Sequence, residues 1–292
     1  MPMEIQFKTV ALIGKYKSPE IADPLIRLGE FLKKRGISVI QDKLTADNVK
    51  GSDFPALALD EIGKKADLAI VLGGDGTMLN IARTLAPYGV SLVGVNQGRL
   101  GFLTDISIDS MLETIGSMLD GQYIIENRNL LEAWVVRKEQ KLFKGLAFND
   151  VVVHRGISGS MIEFEVRING LFVYTQRSDG LIVATPTGST AYALSSGGPI
   201  LYPGLPIIAL VPVNPHTLSN RPIVIGGDSV IEIIMKKSGD SRVHFDSHSH
   251  FDLVEGDCVF VRRYEKTIRL LHPQGHNYFH MLREKLHWSE SF

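Results

Sequence analysis

An uninterrupted apolar segment, residues 68–72, runs straight into Gly73-Gly74, and this junction constrains the fold more than any other stretch of the chain. Apolar residues with no polar break predict a strand buried on both faces, as in a parallel sheet. Thr77 then opens residues 78–85, a predicted helix. Glycines between a buried strand and a helix let backbone N–H groups approach an anion, and the helix N-terminus adds partial positive charge. The loop is therefore suited to phosphate. Asp75 sits inside it, where a carboxylate repels phosphate. It serves either as a base, metal ligand or hydroxyl acceptor, or only as a helix cap.

The surrounding pattern alternates strand and helix. Residues 10–13 form an apolar strand closed by Gly14. Ser18-Pro19-Glu20 then reads as N-cap, first-turn proline and first-turn acid, followed by Ile21, Leu25, Leu28 and Leu32 at helical spacing. Strands over 37–40 and 90–95 and a helix over 57–66 continue the series, which is the grammar of a parallel sheet covered on both faces. The strand over 90–95 enters a second glycine-punctuated loop, Asn96 to Leu103, at the edge where open α/β sheets bind ligands. Asn96 and Arg99 read equally well there as turn residues or as ligand contacts. Met111, Leu112, Ile115, Met118 and Leu119 form one apolar face of a helix over 108–119.

Beyond residue 123 the texture changes. Ile162, Phe164, Val166 and Ile168 alternate with polar residues, and Asn169-Gly170 is a two-residue hairpin signal. Further short strands are predicted over 130–136, 147–153, 181–184, 207–211, 230–235 and 258–262, and Phe279, Leu282 and Leu286 mark a C-terminal helix. The predicted fold class is α/β plus β. A Rossmann-like parallel domain takes residues 1–127 with the C-terminal helix in 274–292, and a β-rich, sandwich-like domain takes 128–273.

Residues 177–199 contain seven hydroxyls between Thr185 and Ser196: Thr185, Thr187, Ser189, Thr190, Tyr192, Ser195 and Ser196. They make either a polar pocket for ribose or phosphate, or a Ser/Thr-rich turn that satisfies its own backbone. Asn149-Asp150 interrupts an apolar run, which marks a bulge or a ligand contact. Two familiar nucleotide motifs are absent: G-x-G-x-x-G fails at Leu79, and Gly188-Ser189-Thr190 lacks the lysine of a P-loop. The formal charge of −1 gives no argument for a nucleic-acid or membrane partner. No apolar run approaches the ~18 residues of a membrane span, so a cytoplasmic address is the expectation. The lone Cys258 reads as a packed strand residue in a reducing compartment.

Taken together, GGDGT at 73–77, N-x-G-x-L-G-F-L-T at 96–104, Asn149-Asp150, and S-D-G followed by T-P-T-G-S-T-A-Y at 178–192 resemble the NAD kinases in their bacterial form, over nearly the whole chain. The resemblance implies an α/β domain plus a β-rich domain, and a homodimer or homotetramer. It implies an enzyme that moves the γ-phosphate of ATP, or in some members polyphosphate, to the 2′-hydroxyl of the adenosine ribose of NAD, with Mg²⁺ as the divalent cation. On the matching positions, Asp75 would be the catalytic group at the acceptor hydroxyl, with Gly76 beside the same ribose. Asn149 and Asp150 would hold the adenine-side ribose, and Asp179 the nicotinamide side. Thr190, Ala191, Tyr192, Ala193, Leu194 and Ser195 would line the adenine pocket, and Ser160, Arg177 and His248 would touch nucleotide. Gly73, Gly74 and Thr77 would meet the donor's phosphates, and no protein residue is singled out as a metal ligand. Many relatives carry Glu where this chain has Asp150, one methylene shorter. His244, Asp246, His248 and His250 share strand parity, a pattern that reads as a strand end beside the nucleotide more readily than as a zinc site. The competing readings are a lipid or sugar kinase sharing the GGDG loop, and a non-catalytic dinucleotide sensor.

Overall fold

The computed structural model describes residues 7–49, 51–98, 100–156, 160–217 and 219–288. Arg99, singled out above, lies outside them. Two compact units divide the chain, Met1–Asn127 with Ile268–Phe292, and Arg128–Thr267.

The first unit runs β1 (Thr9–Gly14), α1 (Ala22–Lys34), β2 (Ser38–Asp42), α2 (Lys43–Ala46), β3 (Ala56–Leu57), α3 (Leu59–Lys65), β4 (Leu68–Leu72), α4 (Asp75–Leu85), β5 (Ser91–Asn96), β6 (Ile106–Ser107), α5 (Met111–Leu119) and β7 (Tyr123–Arg128). Its sheet order is β3-β2-β1-β4-β5, then the strand Ile268–Pro273, then β7. β1 pairs in parallel with β2 and β4, and β4 in parallel with β5. Every residue of β4 and β5 is buried, as strands covered on both faces require. α1 packs Leu25, Leu28 and Leu32 into the core beside Ile21, each worth roughly 1.5–3 kcal/mol on full burial. Ser18 does not cap α1: a short 3-10 turn, Pro19–Ile21, intervenes, and the Ser18 hydroxyl donates to Glu20 instead. From β1 the chain builds outward to β2 and β3 on one side, then returns to β4 and β5 on the other. The crevice at the carboxyl ends of β1 and β4 is the position at which such sheets hold ligands.

Two boundaries differ from the sequence reading. α4 begins at Asp75 rather than near Met78, because Gly74 adopts an extended N-cap conformation and its carbonyl accepts from the N–H groups of Thr77 and Met78. The strand Ile268–Pro273, placed above in a β-rich stretch over 128–273, instead joins the parallel sheet, with Leu270 opposite Leu92 and Ile268, Leu270 and Leu271 buried.

The second unit contains two antiparallel sheets. One is ordered Ile223–Gly226, Ile207–Val213, Gly180–Ala184, Asp150–Arg155, Ser241–Phe245, Ser249–Leu253. The other is ordered Leu171–Ser178, Ile162–Ile168, Val230–Lys237, Cys258–Arg263, Leu131–Arg137, Gln140–Ala147. A single core joins them: Val151, Leu181 and Phe245 from the first sheet pack with Leu131, Phe164 and Ile233 from the second. This is sandwich packing of alternating inward residues. Asn169 and Gly170 both take positive φ, 52° and 77°, as a two-residue turn between right-twisted strands demands. No helix among the described residues is long and apolar enough to cross a membrane.

Candidate active site

In the α/β unit, Gly73 is tied down by its N–H, which donates to the Val95 carbonyl at 2.8 Å. A Cβ on Gly73 would stand 2.8 Å from the Thr77 hydroxyl, whereas Cβ atoms on Gly74 and Gly76 would meet nothing within 4 Å. The loop therefore has one packed glycine and two facing open space. Asp75 makes no cap bond to α4. Its carboxylate reaches across to the second loop instead, accepting from Phe102 N–H at 2.9 Å, Leu103 N–H at 3.0 Å and the Thr104 hydroxyl at 3.4 Å. Gly101 makes this approach possible, since a Cβ there would lie 2.0 Å from Asp75 Oδ1. Asn96 braces the same loop, donating to the Thr104 carbonyl and accepting from Gly98 N–H, each at 3.2 Å, so its role here is turn chemistry. Beside the start of α4 lies a hollow of about 280 Å³ whose lining includes Gly76 and Thr77, together with Lys15 and Asn80, which sequence reasoning did not single out.

In the β unit the hydroxyl-rich run divides in two. The Thr185 hydroxyl donates to the Phe148 carbonyl at 2.7 Å, Ser189 to Pro186 at 2.6 Å, Thr190 to Thr187 at 3.2 Å, and Thr187 accepts from Arg128 at 3.1 Å. These four make the self-satisfied turn, closed on Asn149: Thr185 N–H donates to the Asn149 carbonyl, and a Cβ on Gly188 would lie 2.1 Å from that oxygen. Tyr192, Ser195 and Ser196 turn outward and line a depression of about 360 Å³ with Pro212, Val213 and Asn214. Ala193 faces the other way, buried in a core with Val152 and Val211. Ala191 and Leu194 are half-buried.

Asp150 is 4% exposed, and burial together with the charge of Asp246 pushes its carboxyl up to about 7. Asp246 sits in the turn between Ser241–Phe245 and Ser249–Leu253, and its carboxylate accepts from the N–H groups of Phe148, Asn149 and Asp150 at 2.7, 2.7 and 3.0 Å. It thus fixes the break at which Asn149-Asp150 interrupts the apolar run. Sequence reasoning placed Asp246 only among the parity-sharing histidines. The structure does not gather those four side chains: Asp246 is spent on backbone, His244 and His250 face each other across the strand pair, and His248 is exposed in the turn. Asp179 forms an ion pair with Arg155 at 2.6 Å and accepts from Asn214 at 2.9 Å. Burial, and then the charges of Asp179 and Asp150, raise the Tyr192 phenol, which places these three groups in one electrostatic neighbourhood. Arg177 lies on a strand of the other sheet, and Ser160 precedes one. Arg177 is exposed and pairs loosely with Glu163 at 3.9 Å, and Ser160 is exposed ahead of Ile162.

A parallel α/β unit with a GGDG loop at the carboxyl end of its fourth strand, and a β unit whose hydroxyl-lined depression includes Tyr192 in the field of Asp179 and the buried Asp150, have the features suited to a phosphotransferase acting on a nucleotide. Residues 10–123 match the ATP-NAD kinase N-terminal domain, and residues 148–272 the ATP-NAD kinase C-terminal domain. The chain is 64% identical over 283 residues to an NAD kinase of Nitrosomonas eutropha, covering 97% of this chain and 96% of that protein. It is 62% identical to one of Nitrosospira multiformis, with 98% of both covered, and 53% identical to one of Chromobacterium violaceum, with 99% of both covered. Among solved structures, yeast NADH kinase complexed with NADH shares the fold at a TM-score of 0.89 and 24% identity, over 100% of this chain and 94% of that one. An NAD kinase from Archaeoglobus fulgidus in complex with ATP shares it at 0.73 and 24%, over 94% and 98%. The chain belongs to the ATP-NAD kinase family, and its reaction is the phosphorylation of NAD by ATP. The lipid or sugar kinase and sensor readings are not favoured by the match of both halves.

Proposed function

We propose that Asp75 meets the acceptor hydroxyl, the 2′-hydroxyl of the adenosine ribose of NAD, while the glycines around it attend to the donor. The observation that carries this is the Asp75 carboxylate, fixed by three donors from 102–104 and flanked by Gly74 and Gly76, where the space is open. A ribose hydroxyl is a poor nucleophile, so transfer depends on in-line positioning and charge neutralisation. The carboxylate keeps acceptor capacity after those bonds, enough to orient the hydroxyl or take its proton. Gly73, Gly74 and Thr77 supply N–H and hydroxyl donors to the donor phosphates, and Gly76 lies beside the ribose. In the β unit, Asn149 and Asp150 hold ribose hydroxyls and Asp179 the nicotinamide side. Thr190, Ala191, Tyr192, Leu194 and Ser195 border the adenine, with Ala193 supporting them from the core. Ser160, Arg177 and His248 contribute from exposed positions.

Asp75 is the one carboxylate of the GGDGT loop, and it already accepts bonds on both oxygens. Such a loop fits a cation held mainly by donor phosphates and water, the manner in which Mg²⁺ is usually bound, with Asp75 at most an additional or water-mediated ligand. When bound, the ion offsets negative charge on the transferring group. The free Cys258 and the cellular location of NAD and ATP support a cytoplasmic address. A homodimer or homotetramer is supported by the exposed apolar residues Leu171 and Phe172 on an edge strand.

The test compares Asp75→Asn with Thr104→Val. Loss of the base or orienting group should lower NADP formation on the order of 10²- to 10⁴-fold with NAD binding still measurable. Loss of one hydroxyl from the loop clamp should cost far less. Near-normal turnover in Asp75→Asn, or equal losses in both variants, would remove Asp75 from the chemistry.

A further inference from the structure

A second group of polar side chains in the α/β unit takes no part in this reading. Asp105 follows Thr104 directly, Glu126 is on β7, His272 is on the strand Ile268–Pro273, and His276 lies in the turn before the helix Tyr278–Leu286. Nδ1 of His272 and Nδ1 of His276 both point at Asp105 Oδ2, at 2.8 and 2.7 Å. The two rings stack with centroids 3.9 Å apart and planes 20° from parallel. Nε2 of His272 lies 3.2 Å from Glu126 Oε2. The Asp105 and His272 side chains are only 7% and 2% exposed, and Asp105 Oδ1 is buried with no hydrogen-bond partner among the described residues.

The tautomer of His272 follows from its neighbours. Glu126 can only accept while ionised, so the Nε2 proton belongs on the side facing it, and a neutral His272 then presents its Nδ1 lone pair to Asp105. Two lone pairs meeting at 2.8 Å in a buried site repel unless a proton on Nδ1 or a metal cation lies between them. The Asp105 carboxylate and two neutral imidazoles carry one negative charge, an anionic donor set suited to a divalent ion. A proton on Nδ1 of His272 would serve both carboxylates but leaves Asp105 Oδ1 buried with no partner among the described residues, an acceptor that a metal ion can use. Three potential ligand atoms, one each from Asp105, His272 and His276, already lie within 4.8 Å of one another. Glu126 on the far nitrogen of His272 reproduces the carboxylate–histidine pairing that orients metal-bound imidazoles.

We propose that Nδ1 of His272, Nδ1 of His276 and the carboxylate of Asp105 form a binding site for a zinc-type transition-metal dication, with Glu126 orienting His272 from behind. The nitrogen-rich donor set selects this class over Mg²⁺ or Ca²⁺, which prefer oxygen. Ligand distances of about 2.0–2.1 Å require the Nδ1 to Oδ2 gaps to open by about half an ångström on loading, and Asp105 Oδ1 is available as the ion's further contact. The role is structural: through Asp105 and Thr104 the ion ties the C-terminal strand and turn to the loop that clamps Asp75.

Full-length protein stripped with a chelator and titrated with Co²⁺ should develop a visible d–d band that saturates at one equivalent per chain and is displaced by Zn²⁺. His276→Asn, which keeps a side-chain donor for Asp105, should remain folded by circular dichroism yet bind Co²⁺ at least about tenfold more weakly, and Glu126→Gln should weaken it by about 10- to 100-fold. His250→Ala, in the other histidine pair, should bind as wild type does. No band at one equivalent, unchanged affinity in His276→Asn, or a loss that follows His250→Ala would each overturn the site.

Discussion

The environment of Asp150 works against its charge. Burial and the neighbouring Asp246 lift its carboxyl from 3.8 to about 7. Below pH 4 both folded and unfolded chains hold this proton, so nothing is lost. As pH rises from about 4 to 7 the unfolded chain releases the proton first, and the folded protein bears a growing penalty, reaching a few kcal/mol above pH 7. Asp150→Asn removes that penalty. Its melting temperature should match wild type near pH 4 and exceed it at pH 8, a difference readable by calorimetry. The same titration bears on binding, because an ionised carboxylate accepts a ribose hydroxyl more strongly than a neutral acid does. The KM for NAD should therefore fall in wild type as pH passes about 7 and stay flat in Asp150→Asn. An identical pH profile in the two proteins would show that Asp150 does not titrate against the nucleotide.

At the scale of elements, function rests on loops held by distant turns. The hairpin Ser241–Phe245 to Ser249–Leu253 turns through Asp246 and Ser247, both at positive φ, 47° and 56°, and this strained pair aims the Asp246 carboxylate at three N–H groups near Asn149. Hydrogen bonds to a charged acceptor are worth about 1.5–3 kcal/mol each, so Asp246 is a positioning residue of some consequence. Asp246→Asn, which keeps one acceptor oxygen, should raise the KM for NAD about tenfold with a smaller change in kcat, whereas a fall in kcat as large as the rise in KM would mark a purely structural role. Local pattern made the GGDG loop, the TPTG turn and the Asn169-Gly170 hairpin legible in sequence, because glycines, prolines and unbroken apolar runs act on near neighbours. Asp246 was not legible: its partners lie 96 to 98 residues away, and a hairpin aspartate has no signature that separates it from any other turn residue. The hydroxyl run was half legible. Its density was plain, but which hydroxyls fold inward depends on the carbonyls of Phe148 and Pro186, and only the folded chain brings them there.

Across the whole molecule, both ends of the chain build the first unit, and the β unit is an insertion between β7 and the strand Ile268–Pro273. That strand defeats sequence reading because a lone apolar segment following many antiparallel strands looks like one more of them; its parallel pairing with β5 is set by burial of Leu270 opposite Leu92. The strand Leu171–Ser178 has the opposite character. It lies at the edge of its sheet, and Leu171 and Phe172 are 74% and 62% exposed, side by side with the exposed Val173. Exposed apolar side chains on an unpaired edge are an association hazard in a monomer and an ordinary feature of a subunit boundary. The homo-oligomer proposed for this chain should bury them. Light scattering after size exclusion should give a multiple of the 32.2 kDa chain, and Phe172→Lys, which places like charges together across a symmetric contact, should shift the protein toward smaller species. An unchanged oligomer in Phe172→Lys would place the boundary elsewhere, and a monomeric wild type would leave the apolar edge to some other partner.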